Sequence, residues 1–395
     1  MRILICCGEP SGDLYAGALV GELRRQCPDV EIAGFGGDHL EAAGARLIAH
    51  YRGMSATGLT EALGVIPRFW SLLRRLEDEA RAFAPDVFVP IDLPDFNFWV
   101  MAAMRRQRIP VAYYIGPQLW AWRAGRMRAM QRDAARVLVI FPFEADLYRR
   151  AGVPVEFVGH PLVDVSAPAL ADQSLGSQRV ALGLAADGPT VALLPGSRRN
   201  EVERLAPVLA AAMTGIRARV PGVQFVVARA PHLADALFAD LMAVDRPPVL
   251  VPAQTDAVLA ASDMAITASG TATVQCALHG LPMVVVYQVS PLTFRLGKAL
   301  APRDRLTRIG EGQSDLYAMP NLIAGRAIVP ELIQQDCTPS RVAAEAVSLL
   351  TDTTRADAMR AALADVRARL GGPGATARAA AAVLAVAREA GASRR

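Results

Sequence analysis

Apolar residues in this chain gather in short uninterrupted runs that alternate with amphipathic stretches. In the first half the runs at 2–7, 30–35, 86–91, 111–115, 137–141 and 155–158 read as buried strands. In the second half the runs at 190–194, 224–228, 248–251, 264–266 and 283–287 do the same. Strands that are apolar on both sides belong to parallel sheets covered by helices on both faces. Residues 14–26 supply one such amphipathic helix. The Ala- and Arg-rich tail from 339 to 395 reads as helix with a fraying end. Strand, turn and helix start recur in this order through both halves, although no sequence repeat relates them. The pattern predicts an α/β protein of two Rossmann-like, doubly wound domains facing across a cleft. The stretch 166–188 is richer in Ala, Ser, Asp and Gly and reads as the linker. Expected boundaries are 1–170, 171–345 and a helical tail, 346–395, packing back across the domains.

Chemistry is expected where strands end. Met264 to Gln288 reads as strand, hydroxyl-rich turn, short helix, Gly-Pro break and strand. Its turn, Ser269-Gly270-Thr271-Ala272-Thr273, combines small side chains and hydroxyls at a helix N-terminus, where free amides and the helix dipole favour a phosphate. An ordinary capped helix is the alternative. Pro195-Gly196-Ser197-Arg198 leads from a strand into another helix, and Arg198 offers a planar charged fork to a diphosphate. In Gly8-Glu9-Pro10-Ser11-Gly12-Asp13 the glycine spacing of a dinucleotide site is missing, which argues against a nicotinamide. Glu9 and Asp13 there suit sugar hydroxyls, unless Ser11 or Asp13 is a helix cap. Asp92-Leu93-Pro94-Asp95-Phe96-Asn97 follows a strand, and its carboxylates could include a general base for a hydroxyl, or the loop is a structural turn. Their spacing is not the DxD that holds a metal on a sugar diphosphate, so neither metal nor cofactor is invoked. Trp120, Trp122, Arg123 and Arg126 follow the next strand; the tryptophans suit packing and the arginines an anionic group. His160, at a strand end before proline, reads as structural.

Residues 62–76 differ in character. Leu63, Val65, Ile66, Phe69, Trp70, Leu72 and Leu73 form a wide apolar stripe beside Arg68, Arg74 and Arg75. Such a helix suits a membrane interface, or packs on its own domain.

Bulk properties narrow the classes. The chain has 395 residues, of which 52% are hydrophobic and 20% charged, with a formal net charge of +4. That charge is too small over this length for a dedicated nucleic-acid binder, yet it permits basic surfaces that meet anionic lipid. Five scattered cysteines point to a reducing cytoplasm, with neither disulfide framework nor zinc site. Arg2 enters a strand with no signal peptide ahead of it. The longest stretch without Asp, Glu, Lys or Arg, 264–294, is interrupted by Gly, Pro and hydroxyl residues and reads as a buried βαβ unit, not a membrane span.

Six pieces occurring in order carry a resemblance to one family. They are Gly8 to Asp13, Ile91 to Asn97, Trp120 to Arg123, Leu193 to Arg198, Ala268 to Ala272, and Met319-Pro320-Asn321-Leu322-Ile323-Ala324-Gly325-Arg326. The chain resembles the lipid A disaccharide synthase family. The resemblance implies a GT-B glycosyltransferase that condenses UDP-2,3-diacylglucosamine with 2,3-diacylglucosamine 1-phosphate (lipid X), with inversion. The products are the β-1,6-linked disaccharide 1-phosphate and UDP. It implies Asp92 as general base. It implies a UDP site of Ser197, Arg198, Ser269, Gly270, Thr271, Ala272, Thr273, Gln275 and Asn321 on residues 171–345. Residues 1–170 would hold the acceptor, with Glu9, Ser11, Gly12, Asp13, Asp95, Asn97 and Arg123 in the cleft. Leu63, Ile66, Phe69, Trp70 and Leu73 would meet the cytoplasmic face of the inner membrane. It further implies a homodimer that exchanges C-terminal segments. Three departures fall on the donor side: Gln275 stands where the family usually carries glutamate, Ala327 replaces the glutamate of an AGRE pattern, and the loop before Met319 is longer than usual. The rival readings are another GT-B enzyme, such as a UDP-sugar epimerase or a transferase with a different lipid acceptor, and a catalytically silent lipid or nucleotide binder.

Overall fold

A computed structural model describes residues 1–52, 59–119, 124–166, 174–289 and 316–393. The chain divides into two compact units. Met1–Val165 and Leu370–Arg395 form the first, and the described residues between Ser166 and Arg369 the second.

The first unit runs β1 (Arg2–Cys6), α1 (Pro10–Gln26), β2 (Glu31–Gly36), α2 (Asp38–Ala42), β3 (Arg46–His50), α3 (Leu59–Phe83), β4 (Val87–Pro90) and α4 (Pro94–Arg106). It continues with β5 (Ala112–Tyr114), α5 (Met127–Asp133), β6 (Arg136–Val139), α6 (Pro142–Arg150), β7 (Val155–Phe157) and α7 (Leu162–Val165). All strand pairings are parallel, in the orders β3-β2-β1-β4 and β5-β6-β7. Single bridges, Phe88 to Val111 and Ile91 to Tyr114, join the two groups into one sheet. Ile3, Leu4, Ile5 and Cys6 of β1 are wholly buried, as expected of a central strand covered on both faces. α1 lays Tyr15, Ala16, Leu19, Val20 and Leu23 against the sheet at helical spacing. The short α2 and β3 carry too little periodicity to be read from sequence.

The second unit runs α8 (Leu175–Ala181), β8 (Thr190–Leu194), α9 (Arg199–Arg217), β9 (Gln224–Arg229), α10 (Ala239–Met242), β10 (Val249–Pro252), α11 (Thr255–Ala260), β11 (Met264–Ala268), α12 (Thr271–Leu278) and β12 (Met283–Tyr287). After the undescribed stretch come α13 (Met319–Ala324), β13 (Glu331–Ile333), α14 (Pro339–Thr351) and α15 (Thr353–Arg369). Its six parallel strands are ordered β10-β9-β8-β11-β12-β13. In both units the order reverses beside the first strand, between β1 and β4 and between β8 and β11. Connections leave a reversal in opposite directions and open a crevice at the carboxyl edge, the general ligand position of doubly wound folds.

The tail differs from its expected form in where the returning part begins. The 345/346 boundary falls inside α14, which buries Val342, Ala343, Ala346 and Leu349 in the second unit, and α15 stays there too. The last helix, α16 (Ala375–Ser393), joins the first unit and packs on α1. Asp164 accepts hydrogen bonds from the backbone of Gly374 at 2.7 Å and Thr376 at 2.8 Å, and so caps its N-terminal end. From the sequence, residues 291–299 read as a helix and 301–317 as a charged loop; all of the first and most of the second lie outside the described residues.

Candidate active site

At the reversal in the first unit, Asp92 and Leu93 connect β4 to α4. Both are left-handed, with φ of 48° and 47°. A non-glycine residue there is disfavoured by about 1–3 kcal/mol, so two in succession must be held by their surroundings. The Asp92 carbonyl accepts hydrogen bonds from Asn97 Nδ2 at 2.7 Å and from the Tyr113 hydroxyl at 2.8 Å, and both donors are fully buried. Leu93 is seated against Gly8, where a Cβ would lie 2.3 Å from Leu93 Cδ2. Glycine at position 8 therefore lets the β1 and β4 connections approach. The Asp92 side chain is half-buried at the carboxyl edge of the sheet. Burial, and then the Asp92 charge, push the Tyr15 and Tyr113 phenols well above their ordinary range, so both remain hydrogen-bond donors at neutral pH.

The other acceptor-side candidates separate. Glu9 is half-buried at the N-cap position of α1, with Ser11 half-buried and Gly12 buried in the first turn. Asp13 is 1% exposed, and its carboxylate accepts from the backbone amides of Gly37, His39 and Leu40 at 2.7, 2.9 and 3.2 Å. It caps α2, because a short helix beginning after two glycines brings no cap of its own. Asn97 is the clamp on Asp92 and does not reach into a cleft. Asp95 is exposed and pairs with Arg126, whose guanidinium also lies 4.9 Å over the Phe98 ring. Arg123, Trp120 and Trp122 lie outside the described residues. His160 is buried, with Nδ1 accepting from the Leu162 amide at 3.1 Å. Burial lowers its pKa to about 3, as a neutral structural histidine requires.

The reversal in the second unit is made by different means. Gly196 (φ 126°) bends the β8–α9 connection around Glu201, whose Oε2 accepts from the Ser197 and Arg198 amides at 3.1 and 3.2 Å. A Cβ on Gly196 would meet Glu201 Oε2 at 2.5 Å. The Arg198 side chain is 56% exposed, with Nη1 lying 3.5 Å from Glu201 Oε1. Beside it β11 is followed by Ser269 and Gly270, the latter at φ 144° and ψ −153°, a conformation open essentially to glycine alone. α12 starts there with Thr271 exposed, Ala272 half-buried and Thr273 buried; Thr273 donates to the Gly270 carbonyl at 2.7 Å. Gln275 is half-buried one turn further on.

Asn321 is brought to this region, but its side chain is fully engaged. Nδ2 donates to Val329 O at 3.0 Å and Glu331 Oε1 at 2.6 Å, and Oδ1 accepts from the Ile328 and Val329 amides. With four bonds its capacity is filled, so it shapes the loop and offers a nucleotide nothing directly. Glu331, which sequence reasoning missed, collects the Tyr317 and Ala318 amides as well. The Tyr317 carbonyl then accepts from Ser269 Oγ at 3.3 Å, which ties the 317–331 segment to the start of α12. No local pattern marks Glu331, because its partners lie 10 to 14 residues away.

The α3 stripe has two faces. Leu73 is 7% exposed and belongs to the core, and Phe69 packs inward against Phe96 with ring centroids 5.3 Å apart. Both are expected from the sequence at a membrane interface; the helix phase turns them inward, Phe69 onto Phe96 of α4 and Leu73 into the core. Trp70 points out at 51% exposure, and Trp99 of α4, unforeseen from sequence, joins it at 59% exposure and 5.7 Å between rings. The side chains of Leu63 and Ile66 lie outside the described residues. Among the described residues no helix is long and apolar enough to cross a membrane.

Comparison with known proteins bears on all of this. A family model described as lipid-A-disaccharide synthetase matches residues 3–386. The lipid-A-disaccharide synthase of Alkalilimnicola ehrlichii is 42% identical over 394 residues, covering 98% of this chain and 99% of that one. That of Geobacter metallireducens is 41% identical over 387 residues, covering 97% and 96%. Among solved structures, UDP-GlcNAc 2-epimerase from Neisseria meningitidis bound to UDP-GlcNAc superposes with a TM-score of 0.66 at 14% identity, covering 95% of this chain and 97% of that one. Acinetobacter baumannii MurG does so with a TM-score of 0.60 at 13% identity, covering 97% and 99%. The fold is thus that of GT-B glycosyltransferases. By full-length matches in sequence, the chain belongs to the lipid-A-disaccharide synthase family, glycosyltransferases of lipid A biosynthesis.

Proposed function

We propose that the protein transfers 2,3-diacylglucosamine from its UDP conjugate to the 6-hydroxyl of 2,3-diacylglucosamine 1-phosphate, lipid X, with inversion. The observation that carries this reading is Asp92, held in a disfavoured backbone conformation at the carboxyl edge of the sheet. In the proposed step Asp92 accepts the proton of the acceptor hydroxyl as its oxygen bonds to the anomeric carbon. The bond from that carbon to UDP breaks on the opposite face, and the diphosphate takes the electron pair. Arg198 and the amides at the start of α12 meet the charge that develops on the diphosphate. Ser197, Ser269 and Thr271 border the same site, and Gln275 supplies an acceptor for a ribose hydroxyl without a carboxylate's charge. Glu9 and Ser11 stand on the acceptor side, at the β1 connection next to Asp92.

Both substrates carry acyl chains, so the enzyme works at the cytoplasmic face of the inner membrane, with Trp70 and Trp99 at the interface. The exchange of C-terminal segments in a homodimer belongs to the same reading. A product assay tests it: UDP-2,3-diacylglucosamine and lipid X are supplied together and the products read by mass spectrometry. The reading requires a disaccharide 1-phosphate that depends on both substrates. Epimerised UDP-sugar, or binding without turnover, would replace it with one of its rivals.

A further inference from the structure

The first unit has a second concave surface that none of these steps uses. It lies at the carboxyl ends of β2 and β3, against α3, and encloses about 350 Å³. Phe35, Ala49 and Leu72 give it an apolar floor, and Arg52, Arg68 and Arg75 line its rim. Arg68 and Arg75 are seven residues apart, two turns of α3, and so share one helix face. Arg52 comes from the end of β3 to meet them. Arg75 Nη2 donates to the Ile48 carbonyl, which fixes its guanidinium at the rim. Asp38 pairs with Arg52 and, at 3.1 Å, with His50 Nε2. Like charges gather around a hollow favourably when an anion joins them, and guanidinium forks match phosphate oxygens in geometry and charge.

We propose that this hollow binds an anionic phosphoryl group carried by a lipid, either the phosphate monoester of the acylated sugar acceptor or the phosphodiester of an anionic bilayer phospholipid, whose charge no choline offsets. The apolar floor then lies under the hydrophobic part of the amphiphile, and Asp38 is the internal counter-ion that the phosphate displaces. The position fits. The hollow shares a sheet edge with Asp92, two to three strands away, which at the usual strand spacing is about 10–14 Å. The sugar-phosphate source rests on the function proposed above; the phosphoryl chemistry does not.

Flotation of the full-length protein with three kinds of vesicle tests this. They are phosphatidylcholine alone, phosphatidylcholine with diacylglucosamine 1-phosphate, and phosphatidylcholine with phosphatidylglycerol. Arg52→Ala/Arg68→Ala is expected to weaken binding to phosphoryl-bearing anionic vesicles by about tenfold, with no change on phosphatidylcholine alone. Asp38→Asn is expected to strengthen the same binding by about two- to threefold, a gain that damage to the fold would not produce. Melting temperatures of both variants should stay within about 2 °C of wild type, as for other exposed substitutions. An effect confined to sugar-phosphate vesicles assigns the acceptor, and an effect of equal size on phosphatidylglycerol assigns the headgroup. Unchanged binding in both variants overturns the proposal, as does a loss of equal size on phosphatidylcholine alone. Wild-type protein that shows the binding pattern yet makes no disaccharide overturns the synthase reading and leaves the phosphoryl site standing.

Discussion

After β4 the chain turns through Asp92 and Leu93, two left-handed residues that carry side chains; after β8 and β11 it turns through Gly196 and Gly270, which carry none. The two units share a strand order and put their crevices at equivalent reversals, so topology does not explain the contrast. The first reversal accepts backbone strain in order to hold a carboxylate at the sheet edge, clamped by Asn97 and Tyr113. The second turns on glycines: Gly196 bends around the Glu201 carboxylate that accepts from the Ser197 and Arg198 amides, and Gly270 opens α12, with the exposed Arg198 side chain on the neighbouring connection. In the proposed transfer the first arrangement removes a proton and the second holds a diphosphate, and the reaction needs both.

The largest expected effect follows from removing the carboxylate while keeping its backbone. Asn tolerates the left-handed region, so Asp92→Asn should fold normally and lose about 10²–10⁴-fold in turnover, measured as UDP release under saturating substrates. Near-normal turnover would remove Asp92 as the base and leave its strain unexplained. Next comes the division of α3 into inner and outer faces. Leu73→Ala should lower stability by about 2–5 kcal/mol in denaturant unfolding. Trp70→Ser/Trp99→Ser should change stability far less while shifting protein from the membrane to the soluble fraction; the reverse pattern would exchange the two faces.

The glycine side of the contrast is tested by Gly270→Ala. A Cβ there meets nothing within 4 Å, so the penalty is conformational, about 1–3 kcal/mol, and should appear as a lower melting temperature together with weaker UDP binding. A neutral substitution would mean that the turn is not fixed by glycine. The smallest effect is expected at Gln275. Gln275→Glu restores a charged acceptor one turn into α12 and should tighten UDP by about two- to fivefold, read by calorimetry. No change would mean that the ribose hydroxyls are held elsewhere.

Much of this was legible in the sequence, for a definite physical reason. Buried parallel strands are apolar on both faces, so β1, β8, β11 and β12 stand out as runs, and turns after them stand out by glycine and hydroxyl content. That logic puts Asp92, Arg198, Ser269 and Gly270 in turns that follow strands, and there the structure has them. What was not legible depends on partners distant in the chain. Asp13 and Asn321 look like ligand-binding polar residues, yet one caps α2 and the other braces residues 328–331. Tyr113 and Glu331 become visible only when the sheet brings their partners to them. On α3, composition announced an amphipathic helix but could not fix its phase against the sheet, so Phe69 and Leu73 were assigned to the wrong face and Trp99 was missed.

If the two reversals divide the labour of the transfer, calorimetric titration of UDP into Asp92→Asn and Arg198→Ala, side by side with wild type, separates them. The expected result is wild-type affinity for Asp92→Asn and about tenfold or greater weakening for Arg198→Ala. Loss of UDP affinity in Asp92→Asn with unchanged affinity in Arg198→Ala would contradict that division.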